Sequence, residues 1–202
     1  PRNLKKDISK IRKLKVDYLF LPTEKHIYPN GVNKNIKISN FKNKLCGKNR
    51  PGHFKGVANV IDNFVNILKP QKIYLGEKDM QQLKIIKHFI KSNYKKVKVV
   101  SCKTIREKSG LAYSSRNIML NKEEKKIGSD IYKYLLKNKK KIINNYISLL
   151  KTKKEILLLG ANKIDYVSKI NINKIFKPYK KKSNYKVFIA YYLRSVRLID
   201  NI

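Results

Sequence analysis

An alternation of helical and strand patterns in the first half of the chain constrains its fold more than any other sequence feature. The patterns are an amphipathic helix at 54–68, a strand at 73–75, a helix at about 79–89 and a strand at 97–100. Pro70 ends the first helix, and the first strand runs directly into Gly76. Because parallel strands need crossover connections, the alternation predicts a parallel sheet with helices packed on it.

Shorter patterns flank this unit. Before it they predict a helix at 4–14 capped by Asn3, a buried strand at 16–21 ended by Pro22, a turn at 28–31 and a short strand at 36–38. After residue 104 they predict two Lys-rich helices near 122–136 and 140–150, and strands near 164–167, 187–193 and 196–199. We therefore expect an α/β domain at 1–104 and a smaller α+β domain at 105–202.

The formal net charge of +36 raises the question of a nucleic-acid partner, since basic surfaces attract phosphate backbones. However, arginine, which makes bidentate contacts to phosphates and bases, occurs at only seven positions. The lysines are spread over the whole length beside many Asn and Ile residues, and all three have A/T-rich codons. Genome composition explains this bias, so solvated lysine faces are favoured over a specific nucleic-acid interface.

Composition also bounds the class of protein. Hydrophobic residues make up 42% of the chain, which excludes a largely disordered protein. Cys46 and Cys102 are too few and too far apart for a disulfide framework or a zinc site, and they predict two reduced thiols. No apolar run reaches membrane-spanning length. We therefore expect a soluble cytoplasmic protein without a membrane partner.

The segment from Leu75 to Gln82 is the first candidate for chemistry, because a predicted strand ends at Gly76 and a predicted helix begins near Asp79. Ligands of open α/β sheets bind beyond the carboxyl ends of the strands. Lys78 offers a point charge suited to a phosphate, and Asp79 offers an acceptor for ribose hydroxyls. Alternatively, Asp79 and Gln82 form a capping box at the start of the helix. The two interpretations are compatible.

A second candidate is the segment at 105–117, where Ser114, Ser115 and Arg116 follow the flexible Gly110. Hydroxyl groups beside an arginine suit a mobile loop that binds polyphosphate, since a guanidinium contacts two phosphate oxygens at once. The alternative is an ordinary Ser-rich connection between domains. Spacing alone slightly favours this alternative.

A third candidate lies at Arg50 and His53, directly before the long predicted helix. The N-terminus of a helix attracts anions, and both side chains would add positive charge there. Equally, Pro51 and Gly52 could simply start the helix, and a single histidine is more often structural than functional.

The order of the motifs is more informative than any one of them. Five blocks, at 28–31, 50–57, 76–83, 110–117 and 197–201, have the sequences YPNG, RPGHFKGV, GEKDMQQL, GLAYSSRN and RLIDN. In this order they resemble the successive signatures of the pantoate–β-alanine ligase (pantothenate synthetase) family. The resemblance covers the chain from residue 1 to its end, and it implies a Rossmann-like nucleotidylyltransferase domain followed by the smaller α+β domain.

The resemblance also implies a two-step reaction that uses ATP as co-substrate with Mg²⁺. The carboxylate of pantoate would attack the α-phosphate of ATP to give pantoyl adenylate and pyrophosphate. The amine of β-alanine would then attack this mixed anhydride and release pantothenate and AMP. Family members are typically dimers, so a homodimer is expected.

The roles of individual residues follow from the same resemblance. Gly76 and Asp79 would hold the ribose, with Glu77 in the same nucleotide-binding turn, and Lys78 would stabilise charge on the α-phosphate. The backbone of Ile105 and Tyr113 would border the adenine, and Ser114, Ser115 and Arg116 would close over the β- and γ-phosphates. Gln82 would bind pantoate, Arg50 and His53 complete the substrate side, and Asp7 is a candidate near the metal.

The sequence departs from the family pattern in two places. An HxGH-type motif, whose histidines would stabilise the adenylation transition state, is absent from these residues, as is the first pantoate-binding glutamine. Cys46 stands where many members of the family have Glu. Because the chain begins at Pro1 without Met or a preceding strand, we expect an N-terminally truncated sequence that has no adenylation activity by itself.

Three hypotheses follow from the sequence. The chain is part of a ligase that makes pantothenate, or a degenerate relative that keeps the fold without the activity, or, less favoured, a Lys-rich nucleic-acid-binding protein.

Overall fold

A computed structural model describes residues 4–29, 31–179 and 181–202. The helices are α1 (Leu4–Lys13), α2 (Glu24–Ile27), α3 (His53–Leu68), α4 (Met80–Asn93), α5 (Lys122–Ile143) and α6 (Leu149–Leu158). Short 3₁₀ turns lie at Asn40–Asn43, Leu45–Gly47, Glu77–Asp79 and Ser115–Met119. The strands are β1 (Lys72–Gly76), β2 (Lys98–Cys102), β3 (Lys163–Asn171), β4 (Tyr185–Leu193) and β5 (Val196–Asn201).

The first half contains the predicted parallel pair. Strands β1 and β2 run parallel, with Lys72 opposite Lys98 and Gly76 opposite Cys102. Helix α4 connects them, and its buried side chains include Leu83, Ile86 and Phe89. The carboxyl ends of both strands therefore lie side by side, with Gly76 leading directly into the turn at Glu77–Asp79. The expected α/β class is confirmed.

The second half forms an antiparallel sheet with β4 between β3 and β5, and helices α5 and α6 pack on it. Gly128 permits the close approach of α5, since a Cβ there would stand 2.9 Å from Leu111 Cδ1 and 3.3 Å from Tyr191 Oη. The three strands predicted here are confirmed, each longer than expected.

Two hydrophobic cores stabilise the fold. One is built on α3, α4 and the parallel pair, and the other lies between α5, α6 and the antiparallel sheet. Phe188 and Ile172, from the antiparallel half, belong to the first core. The two halves are therefore packed together, and a domain boundary between residues 104 and 105 stays a prediction.

The buried strand predicted at 16–21 is wrong. These residues form no strand, and they are largely exposed, Tyr18 to 92%. Within the described residues no strand pairs with this segment, so its backbone has no ladder that would hold it extended. The short strand predicted at 36–38 is wrong for the same reason, although Ile36 is buried in the first core.

The helices after residue 121 also differ from the prediction. Helix α5 continues through the lysine run to Ile143, because no breaker interrupts it and both Leu135 and Ile142 are buried on one face. The next helix begins only at Leu149, where the Ser148 side chain accepts a hydrogen bond from Lys151 N.

Two further predictions concern residues near the start of the chain. The predicted cap, Asn3, lies outside the described residues, as does Asn30 of the predicted turn. The residues that flank Asn30 are consistent with the predicted turn. Gly31 N donates a hydrogen bond to Tyr28 O (3.1 Å), and Gly31 has a φ of +76°. Within the described ranges, no helix combines the length and apolar composition needed to cross a membrane.

Candidate active site

A pocket of about 220 Å³ lies where β1 leads into α4. The sequence-predicted residues that line it are Arg50, His53, Lys78, Asp79, Gln82, Ser114, Ser115 and Arg116. They come from three segments far apart in the sequence, and β5 closes the pocket with Arg197, Ile199 and Asp200. The position matches the rule that α/β folds bind ligands at the carboxyl ends of their parallel strands.

Lys78 is half-buried in the 3₁₀ turn between β1 and α4. Burial lowers its pKa, and the charges of Arg116 and Arg106 add to this, while Asp79 and Asp200 oppose it. Burial disfavours the charged form of Lys78, and the nearby carboxylates only partly offset this. A bound anion would therefore stabilise the ammonium group of Lys78.

Arg50 and His53 stand at the start of α3, on another wall of the pocket. Burial lowers the pKa of His53, and the neighbouring Arg50 lowers it further, against the raising effect of Asp79. Gly52 precedes the helix with a left-handed φ of +78°. His53 therefore favours its neutral form and can accept as well as donate a hydrogen bond.

The loop at 114–116 supplies a third wall. Ser114 Oγ accepts a hydrogen bond from Arg116 N (3.3 Å), which begins the short 3₁₀ turn at Ser115. The guanidinium of Arg116 is exposed and donates one hydrogen bond, from Nη1 to Arg197 O (2.9 Å). Its remaining N–H groups point to no acceptor among the hydrogen bonds found in the described residues.

Ile105 and Tyr113 lie beside this loop but do not line the pocket. Tyr113 N donates to Ile105 O (3.0 Å), so the two ends of the 105–113 segment are joined. The segment turns at Gly110, which has a φ of +100° and lies so close to the Tyr132 ring that a Cβ would stand 2.4 Å from it. Only glycine fits this turn.

The turn at 76–82 contains the remaining predicted residues. Gly76 and Glu77 precede Lys78 without lining the pocket, and the space beside Gly76 is open, since a Cβ added there would meet nothing within 4 Å. The predicted capping box is wrong, because the Asp79 side chain makes no cap hydrogen bond. Asp79 ends a 3₁₀ turn, and its backbone therefore lacks the extended conformation that a capping residue usually has. Its carboxylate is thus available to a ligand.

Gln81, which the sequence did not single out, fixes one wall of the pocket. Its side chain accepts from Cys46 N (3.1 Å) and donates to Phe41 O (2.8 Å) and Lys44 O (2.6 Å). Gln81 is buried and holds the 41–46 loop against α4, whereas the adjacent Gln82 is less buried. Two consecutive glutamines carry no sequence signal that separates these roles.

Sequence reasoning also missed a polar cluster on the antiparallel sheet. Arg197 Nε donates to Asp165 Oδ2 (2.7 Å), and its two terminal nitrogens lie 3.8 and 3.9 Å from Cys46 Sγ. Tyr166 Oη lies 3.0 Å from the same sulfur, and burial, reinforced by Cys46, raises the pKa of Tyr166. Cys46 and Cys102 are both free thiols, as predicted. The available signal was that Asp165 and Arg197 are charged residues within predicted strands.

Asp7 is exposed on α1 and does not line the pocket. In the described part of the chain, no three His, Cys, Asp or Glu side chains are grouped so as to hold a metal ion. Asp200 is paired with Arg106, so Asp79 is the pocket carboxylate left for a ligand. The donor set does not fit an all-protein metal cage, but it fits Mg²⁺ that arrives on the oxygens of a polyphosphate.

Taken as a whole, the pocket is electropositive on the sides formed by Arg50, Lys78 and Arg116, and it offers one carboxylate and one amide at Asp79 and Gln82. Such an arrangement can neutralise a polyphosphate and orient a second, hydroxylated substrate.

Comparisons with known proteins agree with this geometry. The model of the family described as pantoate-beta-alanine ligase matches residues 1–202. A pantothenate synthetase of Clostridium botulinum (strain ATCC 19397 / Type A) is 41% identical over 206 residues, and the match covers all of this chain and 73% of that protein. The pantothenate synthetase of Thermosipho africanus is 36% identical, with 74% of its length covered.

Solved structures lead to the same family. The pantoate-beta-alanine ligase of Francisella tularensis, complexed with beta-gamma ATP and beta-alanine, superposes with a TM-score of 0.78 at 36% identity, covering all of this chain and 70% of that one. The pantothenate synthetase of Thermus thermophilus gives a TM-score of 0.86 at 29% identity, with 75% of its chain covered. The nucleotidylyltransferase-type fold expected from the sequence is therefore confirmed, and the chain belongs to the pantoate-beta-alanine ligase family.

Proposed function

We propose that the protein ligates pantoate and β-alanine to pantothenate, with ATP converted to AMP and pyrophosphate. The observation that carries the proposal is the convergence of Lys78, Arg116 and Gln82 on one pocket at the carboxyl end of β1. Membership of the ligase family supports the choice of reaction. The degenerate-relative hypothesis is less well supported, because the predicted polar residues of the three segments line a common pocket.

In the first step, a carboxylate oxygen of pantoate attacks the α-phosphorus of ATP, and the bond from that phosphorus to the bridging oxygen of pyrophosphate breaks. Negative charge grows on the α-phosphate and on the leaving pyrophosphate. Lys78 stabilises the α-phosphate, while Ser114, Ser115 and Arg116 bind the β- and γ-phosphates. These groups work by position and electrostatics, since they are already oriented before the charge develops.

The nucleoside part of ATP lies along the turn and the neighbouring segment. Asp79, free of any capping contact, accepts from the ribose hydroxyls, and Gly76 leaves room for the sugar beside the backbone. Glu77 belongs to the same turn. The joined backbone of Ile105 and Tyr113 borders the adenine. Mg²⁺ would be carried by the polyphosphate and, when bound, would supply charge neutralisation there, since the described side chains form no cage for it.

Pantoate binds in the part of the pocket that Gln82 lines. Gln82 hydrogen-bonds it, and Arg50 and His53 face the carboxylate substrates from the start of α3. The lowered pKa of His53 favours the neutral imidazole, in which one ring nitrogen donates a hydrogen bond and the other accepts one. In the second step, the neutral amine of β-alanine attacks the acyl carbon of the adenylate. The bond from carbon to the AMP oxygen breaks, and the amine gives up a proton to solvent.

We further propose a cytoplasmic homodimer without a specific nucleic-acid or membrane partner. Sedimentation of the purified protein tests the dimer. A salt series of DNA and RNA binding tests the excess of lysine, and a submicromolar affinity that survives physiological salt would contradict this part of the proposal.

The reaction itself is tested with the complete gene product that carries this chain. With ATP, pantoate and labelled pyrophosphate but no β-alanine, label should enter ATP, because the first step is reversible and needs no amine. Addition of β-alanine should then yield pantothenate and AMP. An absence of pantoate-dependent exchange, together with no pantoate binding by titration calorimetry, would favour a relative that keeps the fold without the activity.

A further inference from the structure

The last residues of β5 are tied directly to the turn that carries Lys78. Asn201 Nδ2 donates two hydrogen bonds to backbone carbonyls of this turn, to Glu77 O (2.8 Å) and to Lys78 O (3.0 Å). Asn201 is 4% exposed, and its Oδ1 is buried without a hydrogen-bond partner among the described residues. The side-chain orientation is fixed, since a flipped amide would direct an oxygen at two carbonyl oxygens.

Asp200, the preceding residue, is bonded to the 105–113 segment through Arg106. Arg106 forms a bidentate pair with it, at 2.6 and 2.8 Å, and also donates to Gly110 O (3.1 Å). Asp200 Oδ1 accepts from Asn201 N as well (2.7 Å). The guanidinium of Arg106 lies 4.0 Å from the centre of the Tyr132 ring, which keeps it in place.

We propose that Asn201 is a positioning residue for the adenylation step, and that with Asp200 it sets the distance between the Lys78 turn and the 105–113 segment. This inference rests on the proposed function. The turn at Glu77–Asp79 is a short 3₁₀ piece between a strand and a helix, and it has no side-chain cap of its own. Asn201 donates the two hydrogen bonds that fix the carbonyl groups of Glu77 and Lys78. The backbone conformation at Lys78 therefore depends on the end of β5.

The effect of losing these two hydrogen bonds follows from what Lys78 does. A small displacement of a group that acts on developing charge lowers kcat more than it raises KM. Asn201→Leu keeps the branched shape and the number of side-chain heavy atoms, removes both donors and also removes the orphaned oxygen, so the variant should fold. We expect its pantoate-dependent ATP–pyrophosphate exchange to fall at least about tenfold in kcat, with KM for ATP changed less than about threefold.

Asn59 provides the matched control. It is 1% exposed on α3, its Oδ1 is also unpartnered, and its amide donates to Lys55 O (3.1 Å), yet it does not line the pocket. Asn59→Leu should leave the exchange rate per folded molecule within about twofold of wild type. An equal loss of rate in both variants would overturn the proposal, because it would indicate a general effect of burying leucine.

A double-variant cycle separates positioning from mere structure. If Asn201 acts through Lys78, then Asn201→Leu should have almost no further effect on the exchange rate in a Lys78→Ala background. The same fold-loss in both backgrounds would overturn the proposed route through Lys78.

Hydrogen exchange keeps the inference testable apart from the activity. In the complete gene product, amides of residues 77–80 should exchange at least about tenfold faster in Asn201→Leu than in Asn59→Leu. Equal exchange would overturn the positioning role. The wild-type protein could show no pantoate-dependent reaction while amides 77–80 still exchange faster in Asn201→Leu than in Asn59→Leu. In that case the proposed function fails, but the inference that Asn201 stabilises the turn is retained.

Discussion

Replacement of Lys78 by alanine removes the ammonium group from the turn that precedes α4, and we expect the fold of the pocket to stay intact. In the proposed reaction this group acts on charge that develops at the α-phosphate. Loss of one preorganised donor of this kind costs about 10²–10³ in kcat, or roughly 2.7–4 kcal/mol of transition-state stabilisation. We therefore expect the exchange reaction to slow by about this factor, with a smaller change in KM for ATP.

The same substitution should have little effect on folding. Because burial lowers the pKa of Lys78 in the folded chain, its charged form is disfavoured there relative to the unfolded chain, whose lysine titrates near 10.5. This cost is fully present below the folded-state pKa and is lost as the pH rises past 10.5. At neutral pH the variant loses packing of the aliphatic stem but is relieved of that cost, so the free energy of unfolding should change by about 1 kcal/mol or less.

Lys186 offers a matched control for this experiment. Burial lowers its pKa too, and Glu77 and Asp200 lie close enough to oppose that shift, but Lys186 does not line the pocket. Lys186→Ala should keep kcat within about threefold. Both variants are compared by pyrophosphate exchange and by thermal unfolding. A loss of stability in Lys78→Ala that matches its loss of rate, or an equally slow Lys186→Ala, would refute the catalytic role of Lys78.

Three further predictions follow. ATP should bind less tightly as the pH rises through the lowered pKa of Lys78, because bound phosphate favours the charged lysine. Lys78→Arg should flatten this pH dependence in calorimetric titrations, since arginine stays charged. Identical pH curves for the two proteins would contradict the prediction. Gly110→Ala should lower the free energy of unfolding by about 1–3 kcal/mol, since its φ is +100° and the new Cβ meets the Tyr132 ring; an unchanged melting temperature would count against this geometry. Arg197→Met should cost about 3–5 kcal/mol in denaturant unfolding because it leaves the buried Asp165 unpaired, and adding Asp165→Leu should recover most of the loss; a double variant as unstable as the single one would argue against the pair.

Much of the first half of the chain could be predicted because its elements are locally determined. Helix α3 and strand β1 have strong periodic patterns and a proline between them, and the structure places them as expected. The strand predicted at 16–21 was wrong because its apolar residues meet no neighbouring strand in the described chain. A strand depends on a partner that local pattern cannot supply.

The clustering of the site was also predictable, but its supporting contacts were not. The rule that ligands bind at the carboxyl ends of parallel strands placed Lys78 in the site, and the family motifs added Arg116 and Gln82. The ties made by Asn201 and Gln81 join residues 35 to 124 positions apart in the sequence. Such pairs depend on tertiary packing, so one sequence without its fold does not reveal them.

The most direct test of the proposed function follows one oxygen atom through the reaction. The complete gene product is incubated with ATP, β-alanine and pantoate labelled with ¹⁸O in its carboxylate, and the products are analysed by mass spectrometry. The proposed mechanism predicts one ¹⁸O in the phosphate of AMP, since the bond that breaks in the second step joins the acyl carbon to this oxygen. Label in inorganic phosphate with formation of ADP, or unlabelled AMP beside newly made pantothenate, would contradict it.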